Sequence, residues 1–212
     1  MIPTLDDLDE AARRARHDPA GTLAAHDWLG VAIDVDAEAG RFASWGSSTV
    51  IDENTGGPVI SPEVFAALHD RAGLDARWPV GNAGLLHVYG YLLSTVQTPY
   101  GLKRDRWLGG ALAAAYGLPA DAFVPWKGSS TLLSRVTDAA TSLVSRATVR
   151  GPEPATGGLL ALDRDGEQGP WALAYAVHGR LITTFPVASA DTVLAEWDEA
   201  PARLRWNAAE PA

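Results

Sequence analysis

Apolar positions recur at helical spacing through the first two-thirds of the chain and alternate at strand spacing in the last third. Thr4 is an expected N-cap. Behind it Asp6, Asp7, Asp9 and Glu10 sit at the positive end of a helix dipole, and Arg13, Arg14 and Arg16 at the negative end. Leu5, Leu8 and Ala12 form only a thin stripe, which predicts a surface helix. A second short helix after Asp18-Pro19 carries Leu23, Ala24 and Trp28 and is expected to end at Gly30. Val31, Ile33 and Val35 then alternate with Ala32 and Asp34. This predicts a strand, a polar turn over Asp36–Gly40 and a returning strand over Arg41–Trp45.

Ser61-Pro62-Glu63 is a helix start, with Val64, Phe65, Leu68 and Ala72 inward and Gly73 as the stop. Asn82 is expected to cap a central, well-buried helix to about Gln97, built on Leu85, Tyr89, Leu92 and Val96. Thr98-Pro99-Tyr100-Gly101 breaks it, and a further helix is predicted from about Leu102 to Tyr116. Ser129 or Ser130 opens another helix, and Leu143–Val149 fits either its continuation or a strand. Gly151–Gly158 reads as a loop, Leu159–Leu162 and Trp171–Val177 as strands.

His178-Gly179 is a two-residue hairpin turn. Uniform alternation from that turn sets Val177 against Arg180, Tyr175 against Ile182 and Leu173 against Thr184. Ala190–Asp198 is a last helix and Arg203–Asn207 a last short strand. The expected class is α+β: a helical N-terminal two-thirds packed on an antiparallel sheet formed mainly by the C-terminal third.

The length of 212 residues suits one domain, 1–212, with a seam between a mainly helical part, 1–128, and a mainly sheet part, 129–212. Without cysteine there is no disulfide, thiolate nucleophile or Cys-based metal site. A net charge of −9 argues against nucleic acid as a partner. No run approaches the ~20 apolar residues of a membrane span, and the start lacks an apolar signal core, so a soluble, cytoplasmic chain is expected. There is no phosphate-binding glycine loop, dinucleotide fingerprint or nucleophile elbow. The five histidines (17, 26, 69, 87 and 178) show no metal-binding helical pair, so neither metal nor cofactor is expected. Asp163-Arg164-Asp165-Gly166 lacks the remaining ligands of a calcium loop and reads as a turn.

The most informative stretch is Val80–Trp107. His87, Tyr91 and Ser94 share one face of the central helix, which should meet a polar cavity if it carries chemistry. Beyond the break come Tyr100, Gly101, Lys103, Arg104 and Arg106, the densest positive cluster in an acidic chain. Cations in a first helical turn oppose the dipole, which points to an anion site using Gly101-flanked amides and Arg forks, or to surface pairing with surplus acids. Asp52-Glu53 in a glycine-rich loop offers a general base or an amine-binding acid, or a solvated turn. Trp78 and Trp126, each beside a proline, are candidates to wall a pocket or an interface.

The run Gly81-Asn82-Ala83-Gly84-Leu85-Leu86-His87-Val88-Tyr89-Gly90-Tyr91, with Tyr100-Gly101-Leu102-Lys103-Arg104, resembles small actinomycete proteins of natural-product biosynthesis. Among these are the aziridine-forming protein pairs of azinomycin-type pathways. The resemblance implies intramolecular displacement on an activated amino-acid derivative, an anionic leaving group and a partner protein. It assigns no catalytic residue.

Two functions follow as expectations. One is a small, cofactor-independent enzyme of secondary metabolism acting on an anionic, amino-acid-like substrate, with intramolecular displacement to an aziridine ring as the reaction the resemblance implies. Tyr100, Lys103, Arg104 and Arg106 would hold the anion, and His87, Tyr91 or Glu53 would move the proton. The other is a non-catalytic binding protein, an immunity protein or an obligate heterodimer subunit.

Overall fold

The computed structural model describes residues 2–147, 149–199 and 203–210. The outermost residues of the expected 1–212 span, Met1, Pro211 and Ala212, lie outside the described residues. Helices fill the N-terminal part and a four-stranded antiparallel sheet the C-terminal part, so the chain is α+β. Thr4 caps α1 (Leu5–Ala15) in a reciprocal box with Asp7. Its stripe is wider than Leu5, Leu8 and Ala12 suggest. Leu8, Ala11, Ala12 and Ala15 are all buried, while Leu5 is exposed. Asp18 caps α2 (Pro19–Ala25).

The expected strand at Val31–Val35 is a helix, α3 (Gly30–Glu38), so Gly30 opens an element rather than closing one. Val31 and Val35 are four residues apart on the exposed face, and Ile33 and Asp36 point inward. Alternation over five residues fitted both periods, and Asp36, read as a turn residue, is decisive. Its buried carboxylate accepts hydrogen bonds from Arg41 Nη1 (3.0 Å), Thr131 Oγ1 (2.6 Å) and the Tyr89 hydroxyl. A buried charge persists only when so satisfied, and only the helix aims it there. Arg41–Ser44 is accordingly a 3₁₀ turn rather than a returning strand.

Two antiparallel strands, β1 (Ser47–Thr49) and β2 (Val80–Asn82), flank α4 (Pro62–Ala72), which Ser61 caps and Gly73 ends as expected. Asn82 Oδ1 accepts the Leu85 N–H (3.1 Å) and starts the central helix. Its turns are π-helical over Leu85–Gly90 and α-helical over α5 (Tyr91–Leu93), where it stops, short of the expected Gln97. Gly84 at its start is required by packing: a Cβ there would lie 2.6 Å from the Trp45 ring. Trp45 can therefore lie directly on the helix, which brings β1 alongside it.

Gln97–Thr98 (β3) and Gly101–Leu102 (β4) form a tight hairpin. The single helix expected over 102–116 is two, α6 (Asp105–Leu108) and α7 (Ala111–Ala115), divided where Gly110 takes a positive φ. Thr131, beyond the expected Ser129 or Ser130, caps α8 (Leu132–Arg146). The ambiguous 143–149 stretch is helix to Arg146 and strand from Val149, with Thr148 outside the described residues.

The main sheet runs β5 (Val149–Glu153), β6 (Gly158–Asp163), β7 (Trp171–Val177), β8 (Arg180–Val187) in sequence order. Of the expected loop at 151–158, residues 151–153 and 158 are ladder and 154–157 turn, with Pro152 tolerated because β5 is an edge strand. Ala161, Ala172, Ala174 and Leu181 face the helical body. Leu160, Leu162, Leu173, Tyr175 and Ile182 face the other way, toward α9 (Ala190–Glu199) and Trp206. Residues 203–207 form no strand, although Ala208 bridges Ser48.

His178 and Gly179 close the β7–β8 hairpin with φ of 50° and 77°, as a two-residue turn demands, and Val177 faces Arg180. Beyond that the register differs from uniform alternation. A bulge between Tyr175 and Ala176 makes Tyr175 face Thr183 and Leu173 face Phe185. One extra residue, Ile182, sends Thr183 and Phe185 to the opposite face from the one alternation assigns them.

A Cβ on residue 179 would touch nothing within 4 Å, so strain there is purely conformational. Gly179→Val is expected to lower stability by about 1–2 kcal/mol and Gly179→Asn by clearly less, since Asn tolerates the left-handed region. Equilibrium denaturation of the two variants checks this.

Candidate functional site

The site is assembled where β1, the π-helical turns, α6, β8 and the C-terminal segment meet. β1 pairs with β2 on one edge and takes the C-terminal segment on the other, where Thr49 N–H donates to Asn207 O (2.9 Å) and Ala209 N–H to Ser47 O (3.0 Å). Just before β1, Gly46 N–H donates to Leu181 O (2.8 Å), which ties it to the β8 edge. Ser48, between these attachments, is fully buried and faces the central helix.

Ser48 Oγ lies 2.9 Å from His87 Nε2 and donates to Asn207 O at 2.9 Å. The His87 ring stacks on Tyr91 at 4.8 Å and 29°, so the i, i+4 spacing does put them on one face. The wide turn is closed by Tyr91 N–H donating to Leu86 O, five residues back. His87 and Tyr91 are 2% and 3% exposed. Neither of two openings on the molecule is lined by His87 or Tyr91. A cavity of about 550 Å³ lies between Leu118, Phe123 and α8, and a cleft of about 450 Å³ is lined by Asp6, Asp9, Arg13, Thr95, Leu102 and Arg104. Ser94, the third residue of that face, accepts the Val96 N–H in the turn that ends the helix.

Burial, reinforced by the Arg106 and Lys103 charges, pushes the His87 pKa down to about 3, with the Ile182 main chain opposing. Its Nδ1 is buried without a hydrogen-bond partner. His69 shows the contrasting, ordinary case. Its Nδ1 bonds Phe65 O (2.8 Å) and its Nε2 accepts the Asn82 N–H (3.2 Å), so both nitrogens are satisfied. Burial likewise pushes the Tyr91 hydroxyl up to about 12, with Arg106 opposing, so it stays protonated at neutral pH.

Arg106 is the centre of the charge. Its guanidinium carbon lies 5.4 Å from the Tyr91 ring centre, 5.6 Å from Trp107 and 5.4 Å from Phe185. Nη1 donates to Thr183 Oγ1 at 2.9 Å. Among the described residues no carboxylate pairs with it. Lys103, whose Nζ lies 5.5 Å from the same Tyr91 ring, pairs instead with Asp52 in a nearly buried bridge. Burial alone would raise the Asp52 carboxyl. The Lys103 ammonium, with N–H donors from Thr55 and Asn54, holds it below the usual range. Glu53, next along, is exposed and accepts the Asn207 N–H through Oε1 (2.9 Å).

Of the residues singled out in the sequence, His87, Tyr91, Glu53, Lys103 and Arg106 converge on this region. Tyr100 and Arg104 do not. Tyr100 stands 82% exposed on the β3–β4 turn, and Arg104 pairs with Asp9 of α1. The supposed helix start at Gly101 is strand β4, directly after the hairpin turn. Asp105 Oδ2 already accepts the Leu102 N–H (2.9 Å), and four-residue α6 has little dipole to offer. Trp78 and Trp126 pack edge-on against Phe65 and Trp28 and wall no part of the site. Sequence reading missed Ser48, Asp52's pairing role, Thr183 and Asn207. Their links span 39, 51, 77 and 159 residues, and no local pattern marks them.

No group of three or more His, Cys, Asp or Glu suited to a metal occurs among the described residues, and no helix described is long and apolar enough to cross a membrane. Comparison with protein-family models, with curated proteins and with solved structures finds no match for this chain.

A neutral folded-state His87 gives the site a pH signature. The unfolded imidazole takes a proton near pH 6.5 and the folded one only near 3, so its stabilising contribution is complete above about 6.5 and is lost as pH falls toward 3. Wild type should therefore lose up to about 1.4 kcal/mol more per pH unit than His87→Gln across this window. Denaturation midpoints compared at about pH 7 and about pH 5 check it; equal slopes would contradict a neutral buried His87.

Proposed function

We propose that this chain is an enzyme of secondary metabolism that takes an anionic, amino-acid-like substrate and closes a small ring by intramolecular displacement. The observation that carries the reading is Arg106, a guanidinium set among three rings that makes no direct ion pair with a carboxylate of the described residues. Such a charge is matched by an anion and positioned by its neighbours rather than neutralised by them. The resemblance of Gly81–Tyr91 and Tyr100–Arg104 to aziridine-forming proteins supplies a reaction of this chemistry.

Burial decides between the three candidates for proton transfer. His87 and Tyr91 are sealed from solvent, whereas Glu53 reaches it and is oriented by the Asn207 N–H. Glu53 is thus the proton acceptor, and His87 and Tyr91 are positioning residues. In the step, the substrate nitrogen attacks a neighbouring carbon and its N–H proton passes to Glu53. The bond to the leaving group breaks with its electron pair, and the anion departs toward Arg106. Proximity and charge stabilisation supply the rate, and the chemistry calls on no group beyond these side chains. The alternative, a non-catalytic heterodimer subunit, is favoured by one feature, the exposed Tyr100 on its tight turn, which has the form of an interface anchor.

Sulfate should raise the melting temperature, by an amount equivalent to about 2.7 kcal/mol at a hundredfold excess over its Kd. Arg106→Gln should abolish that response, and Arg104→Gln should leave it intact because Arg104 is engaged with Asp9. A response lost with Arg104 and kept without Arg106 would place the anion elsewhere.

A further inference from the structure

The orphaned Nδ1 of His87 and the Arg106 guanidinium, which makes no direct ion pair among the described residues, meet across one ring. Tyr91 is stacked against His87 at 4.8 Å and lies 5.4 Å from the Arg106 guanidinium. Resting on the anion-site reading above, we propose that an anion seated on Arg106 is bound together with a proton, which His87 takes up. The site would then recognise its ligand as anion plus proton and bind it more tightly as pH falls.

The geometry provides for the charged ring as well as for the neutral one. Ser48 Oγ can accept from Nε2 because its own proton goes to Asn207 O, so the relay needs no rearrangement when the ring charges. The proton enters on the free Nδ1 lone pair, and the imidazole becomes an imidazolium with no bond broken elsewhere. The Ile182 main chain is a neighbour that favours the charged form.

The charged groups around His87 come from each surrounding element. Arg106 of α6 and Lys103 before it oppose the proton. Tyr91 on its own helix is protonated and neutral. Ser48 of β1, Thr183 of β8 and Asn207 of the C-terminal segment carry no charge. Asp52 pairs with Lys103 directly, Glu53 accepts the Asn207 N–H, and both carboxylates act on the Tyr91 hydroxyl. Among the described residues Arg106 makes no direct ion pair and shares the field of Asp52 with Lys103, so an anion beside it offsets the main electrostatic obstacle left after burial.

The test is imidazole ¹⁵N NMR of the intact chain, following the His87 protonation midpoint against pH with and without saturating sulfate, which does not itself titrate in this range. The expected result is a midpoint raised by about one pH unit or more in sulfate. Arg106→Gln without sulfate should raise it too, and sulfate should then add nothing. Sulfate binding that depends on Arg106 but leaves the midpoint in place would overturn the proton coupling and spare the anion site. A melting temperature and spectrum indifferent to sulfate would overturn both. An unmoved midpoint in Arg106→Gln would overturn the coupling on its own.

Discussion

A guanidinium drawn in among aromatic rings, with no carboxylate of the described residues bonded to it, is the constraint around which this molecule is arranged. Arg106 must lose much of its hydration, and the compensation comes from three ring faces and one hydroxyl supplied by α5, α6 and β8. Two irregularities in otherwise regular elements serve that contact. The bulge opposite Tyr175 turns Thr183 and Phe185 to one face of the sheet, and both touch Arg106. The π-helical turns keep His87 and Tyr91 in register, so the ring that Arg106 lies against is stacked from behind. Without either device the cation would lose its neighbours.

A second layer fixes these elements relative to one another. Ser48 joins β1, the central helix and the C-terminal segment through one hydroxyl. Asp36 does the same for α3, the 3₁₀ turn, the central helix and α8 through one carboxylate. Both are buried and fully bonded, and such networks define a single arrangement because any displacement strands a polar group. The acids and bases of the site are sorted in the same way. Lys103 and Asp52 pair, Arg104 pairs with Asp9, and among the described residues Arg106 makes no direct ion pair.

The sequence disclosed the parts of this that are local. His87 and Tyr91 at i, i+4, the cations that follow the break, and the acids of the 52–57 loop all lie within short windows, and the structure gathers most of them. The hairpin turn at His178-Gly179 is equally local and forms as its residues require. What stayed hidden depends on distance or on tertiary choice. Asn207 reaches Ser48 from the far end of the chain, and no window contains both. The β-branched alternation of Val31–Val35 suited a strand until Asp36 found its partners. The bulge in β8 changes faces without any glycine or proline to announce it. Arg104 shares the local signature of Lys103 and Arg106 and is set apart by its pairing with Asp9 of α1, while Tyr100 is carried out to solvent on the β3–β4 turn.

Whether an anion meets Arg106 can be read atom by atom with selenate. Crystals soaked in selenate and measured at the selenium edge should show an anomalous peak within hydrogen-bonding distance of the Arg106 guanidinium, with Thr183 still bound to Nη1. Crystals in which Arg106 instead meets a carboxylate of the chain, or in which selenate gathers only elsewhere, would contradict it.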